Sequence, residues 1–148
     1  MPLCTDHFSL YHCPRTGGTW VRAVFDALGI GYRVIGLHHS TPADVPLSGF
    51  TFSIRRDLAD WLRSWRTLVA GNPHWSWSVP QWLLKAKTVE DAEAVMDRFC
   101  EGVDFVCHTE TLRADLQAVF DAVGLAETVP DLPPNNRTPV DETAGPAQ

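Results

Sequence analysis

Seven residues near the start of the chain have the composition of a phosphate-binding loop. They read Pro-Arg-Thr-Gly-Gly-Thr-Trp at positions 14–20, between a strand-like run and an amphipathic stretch. The glycine pair allows a tight turn that gathers several N–H groups, and a helix that starts there adds free N–H groups and partial positive charge. Arg15 adds a fixed cation. The segment predicts an anion cradle, although a plain Gly-Gly turn with a threonine N-cap has the same composition.

Two other phosphate-binding chemistries lack their central group in this chain. A nucleoside-triphosphatase loop needs Gly-Lys followed by Ser or Thr, and there is no such lysine here. A cysteine phosphatase that used Cys13 would need an arginine six residues later, where the chain has Thr19. Neither alternative accounts for the loop.

The loop resembles the 5′-phosphosulfate loop of the sulfotransferases that use 3′-phosphoadenosine 5′-phosphosulfate (PAPS), which reads Pro-Lys-Ser-Gly-Thr-Thr-Trp or a close variant. A second element of that family is an arginine at the end of the third strand, with a serine eight residues later on the next helix. Arg56 and Ser64 have this spacing. Residues 109–112, Thr-Glu-Thr-Leu, and 135–138, Asn-Asn-Arg-Thr, are weaker similarities to family segments.

The resemblance implies an enzyme that transfers a sulfuryl group from PAPS to a hydroxyl or amine of a small-molecule or saccharide acceptor, with no metal ion. It implies that Arg15 binds the 5′-phosphate and the charge that develops on the bridging oxygen. The other donor contacts that it implies are Thr16, Gly17, Gly18 and Thr19 for the 5′-phosphate, Arg56, Ser64 and Arg137 for the 3′-phosphate, and Trp20 for adenine.

The catalytic base is expected in the loop after the second predicted strand, where the family commonly has a histidine. His38 and His39 lie there, and a neutral imidazole can accept a hydroxyl proton near pH 7. The sequence does not say which of the two faces the site, and both could be solvated loop histidines. Asp44 is the alternative base.

Three departures from the family pattern bear on activity. Arg15 replaces the loop lysine, so the cation is kept but a good proton donor is lost. Leu58 stands where a proline usually follows Arg-Asp, and the chain is shorter than most members. The alternatives are therefore a non-catalytic module that binds adenosine 3′,5′-bisphosphate and, third, a P-loop kinase-like phosphotransferase.

Composition argues against a polymeric ligand and is compatible with a small anionic one. The net charge of −6 over 148 residues argues against a polymeric nucleic acid. Residues 1–70 nevertheless carry a net +2, with arginine as every cation, whereas residues 71–148 carry −8. Arginine suits bidentate anion recognition, so a nucleotide with phosphates at both ends fits.

Cysteine usage and apolar runs predict a cytoplasmic protein. The four cysteines are irregularly spaced, which indicates reduced thiols, and with nearby histidines they match no common zinc pattern. No signal peptide and no membrane-spanning run are visible. Six tryptophans in so short a chain allow a homodimer that covers some of them. Trp75, Trp77 and Trp82 form either an acceptor wall or the apolar underside of an irregular connection.

The elements that must position these residues alternate between strand and helix. Predicted strands cover 8–13, 32–37, 50–54 and 104–107, and predicted helices cover 19–28, 57–69, 79–87, 89–100 and 111–123. This order predicts an α/β fold, a small central parallel sheet of about four strands flanked by helices in three layers, and the resemblance implies that it is P-loop-like. We expect one domain over 1–126 and a proline-rich tail, extended or partly disordered, over 127–148. In such sheets ligands bind beyond the carboxyl ends of the strands.

Overall fold

The computed structural model of the chain describes residues 2–133. Five strands, β1 to β5, cover Leu3–Cys4, Ser9–Tyr11, Arg33–Val34, Thr51–Arg55 and Phe105–His108. Five α-helices, α1 to α5, cover Gly18–Leu28, Leu58–Ala70, Gln81–Leu84, Val89–Cys100 and Leu112–Ala122. Two 3-10 helices cover Pro73–Trp77 and Thr109–Thr111. Arg137, predicted to bind the 3′-phosphate, lies outside the described residues, as does the segment 135–138.

The sheet is mixed, which corrects the expectation of a parallel sheet with about four strands. Its order is β3-β1-β2-β4-β5; β2, β4 and β5 are parallel neighbours, and β1 runs antiparallel to β2 and β3. The reason is the short connection between β1 and β2, which can join only antiparallel strands. A strand as short as Leu3–Cys4 gives no alternating pattern that the sequence could reveal.

The strand directions bring the loops of interest to one edge of the sheet. β2 and β3 both run antiparallel to β1, and β4 and β5 run parallel to β2. The carboxyl ends of these four strands therefore meet at the same edge. The loop at 14–20, the histidines after β3, Arg56 and the start of the second 3-10 helix all follow those ends.

Two hydrophobic cores cover the two faces of the sheet. The first core packs α1 and α5 against β2, β4 and β5, and its buried members include Phe8, Phe25, Phe52 and Phe120. The second core lies beneath α2 and α4 and contains Trp61, Trp65 and Trp75. The contact of α2 with α4 and of α4 with β4 places these helices on the other side. The three-layer arrangement of helices, sheet and helices follows from this division.

The helices begin in different ways, and the difference concerns the site. Asp57 caps α2 by accepting from the Asp60 N–H, and Thr88 with Asp91 forms the capping box of α4. By contrast, α1 begins at a Gly17 N-cap in left-handed conformation, with no side-chain cap. The threonine N-cap that the sequence left open does not start this helix.

The predicted helices match the observed ones closely, apart from residues 79–87, where only the single turn Gln81–Leu84 is α-helical. Residues 123–133 contain no helix or strand, although Val129 is buried in the first core. The predicted boundary between a domain over 1–126 and a tail over 127–148 stays a prediction. Within the described residues, no helix has the length and apolar character needed to cross a membrane.

Candidate anion-binding site

The loop after β2 has the backbone geometry of an anion-binding concavity. Arg15 and Gly17 have φ angles of 62° and 113°, whereas Thr16 and Gly18 have no positive φ. A left-handed residue followed by a right-handed one turns successive N–H groups toward one side, the arrangement called a nest, and Gly17 followed by the helical Gly18 is such a pair. Arg15 is the only non-glycine residue with positive φ among those described. A strained residue of this kind often marks a functional site.

Two side chains named from the sequence lie against this loop. The Arg15 Nε donates to the Ser64 Oγ at 2.9 Å, and the Arg56 Nη1 donates to the Arg15 carbonyl at 3.1 Å. The structure therefore brings Arg15, Arg56 and Ser64 together, although they are spread over 49 positions of the chain. All three side chains keep partial solvent exposure, so a ligand can reach them.

The carbonyl side of the loop is occupied by hydrogen-bond donors. The Thr16 hydroxyl donates to the Cys13 carbonyl at 2.7 Å, so this fully buried side chain turns inward. The Trp61 Nε1 donates to the Pro14 carbonyl at 2.7 Å. The Thr109 hydroxyl lies 2.5 Å from the Thr16 carbonyl and 3.1 Å from the Arg55 carbonyl.

The two glycines are needed for different reasons. A Cβ at Gly17 would lie 2.7 Å from the Leu112 Cδ2, on a backbone whose φ already disfavours side chains. A Cβ at Gly18 would clash with the imidazole ring of His12. The tight turn expected from sequence accounts for Gly17, whereas Gly18 leaves room for the imidazole of His12.

His12, His38 and His39 form a cluster of neutral imidazoles near the start of α1. Burial lowers the pKa of His12 well below its usual value, and His38, His39 and Arg22 lower it further. Burial lowers the pKa of His38 to about 4 and that of His39 to about 3. The rings of His38 and His39 meet edge to face at 4.5 Å. His38 is half-buried and His39 is buried, so neither is a freely solvated loop histidine.

The alternative base, Asp44, is held within its own loop by hydrogen bonds. Its carboxylate accepts from the N–H and the hydroxyl of Thr41 at 3.0 Å each. It lines a cavity of about 640 Å³ together with Thr51 and Gly102, which lie near the starts of β4 and β5. Tyr11, at the end of β2, and Thr41, two residues after His39, line the same cavity.

The tryptophans separate into two environments. Trp20 is half-buried, packs against the first core and donates from Nε1 to the Leu132 carbonyl at 3.2 Å. Trp75 is buried, with its ring 6.2 Å from that of Trp65, so this side chain belongs to the second core. Trp82 lies at the edge of that core, beneath the Arg98 guanidinium at 4.4 Å.

Thiol and metal chemistry receive no support from the described residues. Cys13 is buried, and this burial raises the pKa of its thiol well above the usual value, which opposes a thiolate nucleophile. No group of three or more His, Cys, Asp or Glu side chains within residues 2–133 could hold a metal ion.

Sequence reasoning missed three residues that contact the loop: His12, Trp61 and Thr109. Trp61 lies in the predicted helix 57–69 and belongs to its apolar pattern. An apolar pattern with a 3.6-residue period does not indicate where an indole N–H points. Thr109 belongs to the weaker family-like segment, which was the available signal. His12 directly precedes the loop, but its contact with Gly18 depends on how β2 leads into α1.

Comparison with known proteins returned no match: no family model, no curated protein and no solved structure resembles the chain significantly.

Proposed function

We propose that the protein is a PAPS-dependent sulfotransferase of P-loop-like architecture. The observation that carries the proposal is the combination of an uncapped helix start, a loop with alternating φ signs, and the Arg15, Arg56 and Ser64 side chains against it. N–H groups, partial positive helix charge and two fixed cations favour a multiply charged phosphate ester. PAPS carries such groups at both ends and supplies the activated sulfuryl group.

The chain's own residues would divide the work in binding the donor. The N–H groups of residues 15–19 and the Arg15 guanidinium would bind the 5′-phosphate and stabilise negative charge on the leaving oxygen. Arg56 uses one nitrogen for the Arg15 carbonyl, which leaves further N–H donors of its planar group for the 3′-phosphate beside Ser64. Trp20, which is half-buried, would stack on adenine.

His38 or His39 would act as the base on the acceptor. Both imidazoles are neutral at pH 7, because burial lowers the pKa of each well below its usual value. In the transfer, the acceptor oxygen or nitrogen bonds to sulfur, the bond from sulfur to the bridging phosphate oxygen breaks, and the acceptor proton goes to the imidazole. The leaving electron pair stays on adenosine 3′,5′-bisphosphate. As in phosphoryl transfer, positioning and electrostatics supply most of the acceleration.

A second candidate is a module that binds the bisphosphate without turnover. The observation that favours it is that Arg15 stands where the sulfotransferase loop has a lysine. The Arg15 Nε bonds to Ser64, and a guanidinium does not donate its proton at neutral pH.

Calorimetry tests the ligand class. We expect adenosine 3′,5′-bisphosphate to bind more tightly than adenosine 5′-phosphate and than ATP with Mg²⁺. Arg56→Ala should lower the bisphosphate affinity by about tenfold or more, since it removes charge-assisted hydrogen bonds. Arg63→Ala is the matched control, because Arg63 is exposed on α2 and pairs with Asp60. Absence of bisphosphate binding would refute the proposal, and tighter binding of ATP would favour a kinase-like protein.

Sulfated products separate the enzyme from the binding module. The protein is incubated with PAPS and a pool of hydroxyl, amine and saccharide acceptors, and the products are analysed by mass spectrometry. We expect transfer that the double variant His38→Ala/His39→Ala abolishes and that His74→Ala, an exposed histidine, leaves unchanged. Bisphosphate binding without any transfer would support the module instead.

A further inference from the structure

Four consecutive carbonyls of the loop each accept a hydrogen bond from a side chain. The acceptors are the carbonyls of residues 13, 14, 15 and 16, and the donors are Thr16, Trp61, Arg56 and Thr109, in that order. The Gly17 carbonyl, next in line, accepts the Val21 N–H as part of α1. Three of the four donors come from parts of the chain more than 40 residues away.

Peptide geometry gives this pattern a consequence. In a trans peptide the C=O of one residue and the N–H of the next point in opposite directions. A carbonyl held by a donor therefore fixes the following N–H on the other side. The bonds to the carbonyls of residues 14, 15 and 16 orient in this way the N–H groups of Arg15, Thr16 and Gly17. Arg15 and Gly17, the first and the last of these three residues, are the two loop residues with positive φ.

We propose that Trp61 and Thr109 are positioning residues of the anion-binding loop: their donors hold its carbonyls away from the bound anion and its N–H groups toward it. Without them, a carbonyl could turn its negative end toward the anion, and the loop would have to reorganise on binding. The inference rests on the proposed function for the identity of the anion. Neither side chain needs to contact that anion.

The neighbour of Trp61 provides a matched control. Trp65 is also buried in the second core, and its ring stacks on that of Trp61 at 5.9 Å. Its Nε1 also donates to a backbone carbonyl, that of Leu83, at 2.9 Å. Trp61→Phe and Trp65→Phe therefore remove the same kind of hydrogen bond from the same core, and only the first bond reaches the loop.

The test measures affinity and stability together. We expect Trp61→Phe to weaken adenosine 3′,5′-bisphosphate binding about tenfold, as for one lost buried hydrogen bond, and Trp65→Phe to change it less than twofold. Both variants should lower the melting temperature by similar amounts. Equal losses of affinity in the two variants, or no loss in either, would overturn the role of Trp61.

Thr109 offers a second variant pair that avoids the core. Thr109→Val keeps the shape and removes the hydroxyl, so we expect a loss of about tenfold, and Thr109→Ser should restore most of the affinity. Thr67→Val is the control, since the exposed Thr67 hydroxyl donates to the Arg63 carbonyl within α2. If Thr109→Val binds as tightly as the unsubstituted protein, the role of Thr109 is wrong. This pair decides the question if Trp61→Phe does not fold.

Failure of the proposed function would be visible separately. If the unsubstituted protein does not bind the bisphosphate, the proposed function fails, and the same variants are compared with inorganic pyrophosphate as the probe. Affinity losses confined to Trp61→Phe and Thr109→Val would still support the positioning roles. Absence of binding to either probe overturns both proposals.

Discussion

The two cores on either side of the sheet are built from different aromatic residues. In the core under α1 and α5, Phe8 lies at the centre, with the rings of Phe52, Phe25 and Phe120 at 5.5, 5.6 and 5.8 Å. In the core under α2 and α4, Trp61, Trp65 and Trp75 stack in a row at 5.9 and 6.2 Å. Phenylalanine has no polar group, whereas a buried indole must find an acceptor for its N–H.

This difference assigns different tasks to the two cores. The phenylalanine core stabilises the sheet through apolar burial, and it contacts the loop through apolar side chains, at Gly17 beside Leu112 and at Trp20. The tryptophan core also donates hydrogen bonds to backbone carbonyls, one of which belongs to the loop. Stability and site geometry should therefore respond differently to substitutions on the two sides of the sheet.

The largest effect is expected in the phenylalanine core. Phe8→Ala should lower the free energy of unfolding by about 3–5 kcal/mol, because it leaves a cavity between three other rings. Bisphosphate affinity of the folded fraction should stay unchanged. Urea unfolding and calorimetry measure the two quantities, and Leu37→Ala, at an 81% exposed position, is the control. A tenfold loss of affinity in Phe8→Ala would remove the distinction between the cores.

The next effect is the pH dependence of the histidine cluster, which belongs to neither core. Burial lowers the pKa of His38 to about 4 and of His39 to about 3, and that of His12 well below its usual value. Below pH 6.5 the unfolded chain therefore binds protons that the folded chain does not, and stability falls as the pH falls toward 4. Each such histidine contributes a slope of up to about 1.4 kcal/mol per pH unit.

Urea unfolding at pH 7, 6 and 5 measures this slope. The double variant His38→Gln/His39→Gln should flatten it, whereas His7→Gln, an exposed position, should leave it as it is. A slope that is unchanged in the double variant would contradict the burial of these imidazoles.

A smaller effect compares two members of the tryptophan core. Trp61→Phe and Trp65→Phe should each lower the free energy of unfolding by about 1–3 kcal/mol, because each leaves a backbone carbonyl without its donor. Urea unfolding should give similar losses for the two variants. A much larger stability loss in Trp61→Phe than in Trp65→Phe would contradict the equivalence of the two indole hydrogen bonds.

The smallest effect is expected at the edge of the tryptophan core. Arg98→Ala removes a guanidinium that lies 4.4 Å above the Trp82 ring. The free energy of unfolding, measured in urea, should fall by about 0.5–1 kcal/mol. Bisphosphate affinity should not change, because Arg98 lies at the end of α4 near the starts of the strands. Lys87→Ala, at an exposed position just before α4, is the comparison variant. A change in affinity at Arg98 would extend the site beyond the loop edge.

Much of the fold could be predicted because its signals are local. The helices predicted over 57–69 and 89–100 rest on signals within a few residues, and α2 and α4 confirm both. β1 could not be predicted, since two residues cannot show an alternation and its pairing with β2 depends on the hairpin. Antiparallel β1 is also what separates β3 from β2 in the sheet.

The candidate site likewise contains residues that a local pattern reveals and residues that only the folded chain brings to it. Arg15 and the glycines lie in one segment, so their composition was sufficient to find the loop. Arg56 and Ser64 were found through a family spacing, and the structure brings both to Arg15. Trp61 and Thr109 contact the loop across 47 and 93 positions, and no local pattern indicates which carbonyl a distant donor will reach.

The 93-residue separation between Thr109 and the Thr16 carbonyl also affects when the site forms during synthesis. The loop sequence leaves the ribosome early, but the last of its four donors is made only after β5, the final strand of the sheet. Contacts between residues so far apart along the chain also form slowly. A chain shortened before residue 109 would carry the complete motif without all of its hydrogen bonds, so the proposed anion-binding loop should reach its final geometry late, after most of the fold has formed.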